Sequence, residues 1–91
     1  MRIKGFQWDD SNVLHLELGH GIKPEEAEEV FAVAPLYRKT KKGHFVVFGP
    51  TTDSRFLTIV FELKPNGMAR VITGWDLDQK QKRHWRKYHK R

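Results

Sequence analysis

The chain contains no cysteine. Disulfides, thiolate zinc sites and thiol nucleophiles are therefore excluded, and the composition suits a reducing compartment. No apolar run approaches the roughly 18 residues that a membrane-spanning helix requires. The opening stretch MRIKGFQWDD also lacks the apolar core of a signal peptide. We therefore predict a cytoplasmic, unsecreted protein with no membrane partner.

Metal-binding and nucleophile motifs are also missing. The five histidines show no HExxH or other ligand spacing, and the pairs His15/His20 and His84/His89 are each five residues apart, which places neither pair on one helix face. His20 precedes a glycine at a predicted helix end, where it would interact with the helix dipole. No Ser-His-Asp order, glycine-rich phosphate loop or paired-carboxylate pattern stands out. We predict no metal and no cofactor.

Acidic residues are absent from the end of the chain. Residues 79–91 carry seven Lys or Arg and no acid, whereas residues 9–29 carry seven acids and one Lys, within a net charge of +6. This polarity predicts a surface that binds a polyanion. Nucleic acid is the first candidate partner, and an acidic protein or an anionic membrane surface would also fit. The length of 91 residues leaves room for a single domain, 1–91.

The N-terminal third predicts one strand and two helices. IKGFQW alternates apolar and polar residues like a half-buried strand, and Trp8 at its end is expected in the core. DDSNVLHLELGHG predicts a short helix with Asp or Ser as its N-cap and Gly19 or Gly21 at its end. In KPEEAEEVFAVAP, Pro24 suits a first helical turn and the apolar residues recur at helical spacing. Pro35 is predicted to end that helix.

The remaining chain predicts strands followed by a final helix. LYRKT, HFVVFG, RFLTIVFEL and MARVITGW are separated by hairpin-length connections, of which Asn66-Gly67 is the strongest turn signal. The middle two are apolar almost throughout, so both faces of the central strands should be covered. Asp78 with Gln81 resembles a capping box that opens a helix to about residue 88. The order β-α-α-β-β-β-β-α predicts an α+β fold, a small antiparallel sheet with helices packed on it.

The last helix has two kinds of surface. Trp85 and Tyr88 fall near one face and are predicted to dock on the sheet, while the cations spread round the others. Like charges four residues apart disfavour an isolated helix, and a bound polyanion would relieve their repulsion. We favour polyanion binding over the alternative that these side chains are only solvated. The cations are Lys80, Lys82, Arg83, Arg86 and Lys87, followed by Lys90 and Arg91.

Two arginines, Arg55 and Arg70, lie at the start of or within predicted central strands, where a solvated charge is uncommon. One interpretation is a salt bridge to Glu62, Asp53 or Asp76. The other is a phosphate clamp, because a guanidinium holds phosphate oxygens in bidentate fashion without titrating. The sequence supports both interpretations.

Three blocks of the sequence resemble the BrnT toxins of type II toxin–antitoxin systems. The blocks are HGIKPEEAEEVF, FGPTTDSRFLTIVF and RVITGWDLDQKQKRHWRKY, in that order after an N-terminal W-D, and they cover nearly the whole chain. The resemblance implies a RelE-like fold, metal-independent endoribonuclease activity that inhibits translation, and a small DNA-binding antitoxin encoded adjacently. The residues at matching positions are Trp8, His20, Glu29, Arg55 and Arg70.

The chain departs from the BrnT pattern at three places. Residues 73–75 read Thr-Gly-Trp where the family usually has S-A-R, so a tryptophan replaces an expected arginine. Residues 81–85 read Gln-Lys-Arg-His-Trp in place of the E-R-x-x-Y helix, and Ser54 replaces a glycine. A non-catalytic module that binds RNA, DNA or the antitoxin, a decayed toxin, therefore stays open beside the ribonuclease.

Metal-free RNA cleavage requires a group that accepts the 2′-OH proton, cations that stabilise the phosphorane and an acid for the leaving 5′-oxygen. We expect Arg55 and Arg70 to stabilise the charge and His84 or Lys82 to transfer protons. Trp75 is expected to stack on an unpaired base. The predicted RNA-binding residues are Trp75, Lys80, Arg83, Arg86 and Lys87.

Overall fold

A computed structural model describes residues 3–32, 36–40 and 42–88, without the side chains of residues 36 and 88. The predicted α+β class is confirmed. None of the described helices is long and apolar enough to cross a membrane, and the predicted stop at Pro35 lies outside the described residues. The elements are β1 Gly5–Phe6, α1 Asp10–His20, α2 Pro24–Ala32, β2 Leu36–Lys39, β3 Phe45–Pro50, β4 Phe56–Leu63, β5 Met68–Asp76 and α3 Gln79–Tyr88.

The strands form one mixed sheet in the order β1-β5-β4-β3-β2. The neighbours from β2 to β5 are antiparallel, as their short connections require. β1 instead runs parallel to β5, with Gly5 opposite Met68. The prediction of an entirely antiparallel sheet is therefore wrong at β1, because the long chain between β1 and β5 leaves either direction sterically available.

β1 is shorter than the predicted strand of six residues. The backbone N–H groups of Lys4 and Gln7 donate to the carbonyls of Gly67 and Ala69 at 2.8 and 2.9 Å. These two hydrogen bonds lie on either side of a strand of only two residues. The chain then turns because Asp9 is the N-cap of α1, accepting a hydrogen bond from the N–H of Asn12.

The main core lies between one face of the sheet and the helices α1 and α2. Phe61 is fully buried at its centre, with its ring centroid 4.9 Å from that of Phe31 and 5.6 Å from that of Phe45. Three consecutive β4 residues, Leu57 to Ile59, are buried, which confirms that both faces of this strand are covered there. The buried core residues are Leu16, Ile22, Ala27, Val30, Val47, Leu57, Ile59, Phe61, Ala69 and Val71.

Helix α3 packs on the opposite face of the sheet. Phe56 alternates with the buried Leu57 and so points away from the main core. The Trp85 ring lies edge-on to it at 5.5 Å, so the predicted docking through Trp85 is confirmed, although the indole is only half-buried. The predicted capping box is also confirmed, since Asp78 accepts from the N–H of Gln81 at 2.8 Å and Gln81 accepts in return at 3.3 Å.

Candidate nucleic-acid interface

The basic residues of α3 lie at the edge of its contact with the sheet. Lys82 Nζ and the Arg86 guanidinium stand 5.9 and 5.4 Å from the centre of the Phe56 ring, within the range of cation–π attraction. Arg83 and Lys87 are exposed. The helix carries five cations and no acid over residues 79–88. It therefore presents a positive surface that is held against the sheet.

A cleft of about 200 Å³ lies between the first turns of α3 and the strands β2 and β3. Its walls are Arg38, Phe48, Lys80, Gln81 and His84. The Arg38 guanidinium lies 5.9 Å from the centre of the Phe48 ring. The cleft thus combines an aromatic floor with cationic walls, a combination that suits an anionic ligand with a flat ring.

Strand β5 adds a row of side chains to the same face of the sheet. Trp75 lies opposite Thr58 and Arg70 lies opposite Glu62, and both β4 partners alternate with core residues. Thr73 lies between the two on this face. The Trp75 side chain is 41% exposed, so its ring is accessible to a base. We call this face, with α3 and the β5 row, the α3 face.

Arg55, in the turn before β4, connects three elements of the fold, α1, α2 and β5. Its guanidinium donates to Asp76 Oδ1 at 2.8 Å, to Glu26 Oε1 at 3.2 Å and to the carbonyls of Gly21 and His20 at 2.9 and 3.5 Å. The hydrogen bond with Asp76 is the main cause that raises the pKa of Arg55 and lowers that of the Asp76 carboxyl. The structure thus contains the predicted salt bridge to Asp76, and this guanidinium is not placed as a free phosphate clamp.

Arg70 is also ion-paired, with a partner that the sequence did not suggest. Its terminal nitrogens donate to Asp9 at 2.7 and 3.3 Å. This contact lowers the pKa of the Asp9 carboxyl and raises that of Arg70. Because Asp9 also caps α1, the pair fixes the start of the helix against β5.

The four residues predicted to be catalytic do not form one cluster. Arg55 lies at the junction of α1 and α2, while Arg70 lies at the start of α1. Lys82 lies over the Phe56 ring and contributes to the low pKa of the carboxyl bound to Arg55, and His84 lines the cleft above β3. Arg55 and Arg70 were predicted from the family pattern and His84 and Lys82 from their proton-transfer chemistry, and neither criterion specifies the distances between these residues.

A histidine pair that the sequence did not predict lies beside β5. His15 Nε2 and His20 Nε2 lie 3.0 and 3.3 Å from the Thr73 hydroxyl, and the ring centroids are 5.2 Å apart. A spacing of five does place the two residues on different faces of the helix, but it does not keep their rings apart. They project from different sides of α1, and Thr73 lies beside the helix where both rings reach it. Only the packing of β5 against α1 reveals this.

The other residues that match the family pattern attach α2 to its neighbours. The Trp8 indole N–H donates to Glu28 at 2.7 Å, and Glu29 accepts from the N–H of Thr52 at 3.1 Å. Trp8 packs against the main core but is only half-buried. Among the residues that the structure describes, no three His, Asp or Glu side chains are grouped so as to hold a metal ion.

Comparisons with known proteins do not assign a family to the chain. No protein-family model matches it, and neither a curated sequence nor a solved structure is significantly similar to it.

Proposed function

We propose that this protein binds single-stranded RNA on the α3 face. The observation that carries the proposal is the presence of the α3 cations and the exposed Trp75 on one side of the sheet. Cations neutralise phosphates, and an exposed indole stacks on a base only when that base is unpaired. Single-stranded RNA satisfies both requirements, whereas a duplex hides the faces of its bases.

The more specific proposal is that the protein is the toxin of a type II toxin–antitoxin system, with a RelE-like fold, that cleaves RNA without a metal ion. The similarity of three sequence blocks to BrnT toxins supports it. The antitoxin encoded adjacently would cover the same positive face. An acidic segment of that partner would compete with RNA for α3.

A non-catalytic binding module is the second candidate. Arg55 and Arg70 each pair with carboxylates, and Trp75 occupies the position of an arginine in the BrnT pattern. These observations favour a protein that holds RNA or an antitoxin without cutting RNA. Both candidates use the α3 face.

Salt dependence of binding tests the interface. Log affinity for a labelled single-stranded RNA should fall linearly with log salt, with about 0.7 of slope for each phosphate neutralised. We expect the double variant Arg83→Gln, Arg86→Gln to flatten this slope without changing sequence preference. The matched control is Lys23→Gln, Lys42→Gln, which removes two exposed cations elsewhere. Equal slopes for all three proteins would refute the proposed interface.

Mapping of RNA ends separates the two candidates. The chain, expressed alone, should produce EDTA-resistant cuts that leave a 2′,3′-cyclic phosphate and a 5′-hydroxyl. The comparison includes wild type and Trp75→Arg, which restores the arginine of the family pattern. Cuts by Trp75→Arg alone would identify a decayed toxin, and no cuts by either, even with translating ribosomes, would leave the binding module.

A further inference from the structure

A second cleft, of about 580 Å³, runs between α1 and the outer side of β5. Its walls include His15, Arg70 and Thr73, and His20 reaches the same threonine from the end of α1. We infer that His15 and His20 are the proton-transfer pair for RNA cleavage and that Arg70 holds the scissile phosphate beside them. This inference rests on the proposed ribonuclease function.

The Thr73 hydroxyl brings the two imidazoles together. Both Nε2 atoms converge on Oγ1, at 3.0 Å from His15 and 3.3 Å from His20. A hydroxyl has one hydrogen and can donate to only one ring, so at least one imidazole must donate its own Nε2–H. The hydroxyl thus holds two imidazole nitrogens side by side, and at least one of them carries a hydrogen.

Arg70 supplies the anion-binding group of this cleft. It uses two N–H groups on Asp9, through its two terminal nitrogens, and a guanidinium has five. The salt bridge also fixes the orientation of the side chain. A phosphate oxygen can therefore be bound without the arginine leaving Asp9.

The position of Trp75 directs RNA towards this cleft. Trp75 and Thr73 are two residues apart on β5 and lie on the same face, which separates them by about 6.8 Å along the strand. A base stacked on Trp75 would thus place a neighbouring phosphodiester beside the two imidazoles. The α3 cations would hold the rest of the strand.

The proposed reaction uses the 2′-hydroxyl of the RNA as its nucleophile and requires neither water nor a metal ion. One imidazole takes the proton of the 2′-hydroxyl, and the 2′-oxygen forms a bond to phosphorus. The bond from phosphorus to the 5′-oxygen breaks, and the second imidazole, which enters the reaction as an imidazolium, gives its proton to that oxygen. The products are a 2′,3′-cyclic phosphate and a 5′-hydroxyl.

Nucleotide binding tests the site independently of cleavage. On titration of the ¹⁵N-labelled protein with uridine 3′-monophosphate, the imidazole signals of His15 and His20 should shift more than that of His44, which lies before β3. Arg70→Gln should weaken this binding about tenfold or more. Shifts confined to His44 or His84 would overturn the inference.

Cleavage assays then test proton transfer. A general acid or base contributes about 10²–10⁴ to a rate. His15→Gln and His20→Gln should each lower the cleavage rate by at least about 100-fold while RNA affinity changes less than about twofold, and His44→Gln should cut like wild type. Thr73→Val, which keeps the shape and removes the hydroxyl, should slow cleavage without weakening RNA binding.

The outcomes separate the two claims. If wild type cuts RNA and both histidine variants cut at the same rate, the inference is overturned and the ribonuclease function stands. If wild type binds RNA but cuts none, both the ribonuclease function and the inference fail, and the binding module remains. Circular dichroism of each variant verifies that lost cleavage is not lost folding.

Discussion

Removal of the Arg55 side chain should destabilise the fold substantially. A hydrogen bond to a charged group contributes about 1.5–3 kcal/mol net when it is protected from water. The Asp76 side chain is 61% exposed, so this ion pair contributes less than about 1 kcal/mol. Glu26 is only 22% exposed, and the Gly21 carbonyl at the end of α1 would also lose its partner. We therefore expect Arg55→Ala to lower the free energy of unfolding by about 2–3 kcal/mol.

Urea unfolding followed by tryptophan fluorescence measures this loss. In a domain of this size, about 1 kcal/mol shifts Tm by about 4–8 °C, so Arg55→Ala should melt about 8–24 °C lower. Arg55→Lys keeps the charge but not the planar fork and should recover less than half of the loss. Arg38→Ala, which removes an exposed arginine over Phe48, is the control and should cost no more than about 1 kcal/mol. An Arg55→Ala protein as stable as wild type would refute the structural role.

Four further predictions concern stability. Trp85→Ala should cost about 3 kcal/mol in a urea titration, the low end of the range for a tryptophan, because the indole is half-buried. Stability should fall with acid, because arginine partners hold the pKa of Asp9 and Asp76 below the usual 3.8. The unfolded chain then takes up protons first, so this contribution is present above about pH 4 and is lost as the pH falls through the lowered pKa values. Asp76→Asn should make urea midpoints between pH 6 and 2.5 less dependent on pH. A Cβ on Gly74 would lie 2.9 Å from a backbone oxygen and from a core side chain of β4, so Gly74→Ala should destabilise by about 1–3 kcal/mol. A Cβ on Gly19 in α1 would have no neighbouring atom within 4 Å, so Gly19→Ala should raise the free energy of unfolding by about 0.5–1 kcal/mol. Thermal melts of both glycine variants measure these changes.

Local signals in the sequence predicted the end of α1, the turn before β5 and the start of α3. Gly21 adopts the left-handed conformation, with φ of 65°, at the end of α1, and Gly67 has φ of 85° in the predicted turn before β5. Asp78 and Gln81 cap α3 as expected. Each feature depends on residues within four positions of one another, so a short stretch of sequence is sufficient to predict it.

Contacts between distant parts of the chain could not be predicted in this way. The parallel direction of β1 and the ion pair of Arg70 with Asp9 join residues about 60 positions apart. The histidine pair depends on Thr73, which lies 58 residues from His15 and 53 from His20. No short-range sequence pattern indicates contacts between residues so far apart in the chain. The predicted catalytic set was dispersed in the structure for the same reason.

Ultraviolet crosslinking of bound RNA, followed by mass spectrometry of tryptic peptides, identifies the part of the protein that contacts RNA. Trypsin releases residues 71–80 as one peptide, which contains Trp75 but neither of the other tryptophans, Trp8 and Trp85. If RNA lies on the α3 face, this peptide should carry the main nucleotide adduct, and Trp75→Leu should remove it. Adducts confined to the acidic segment of residues 9–29, or RNA binding that leaves residues 71–80 unmodified, would contradict the account.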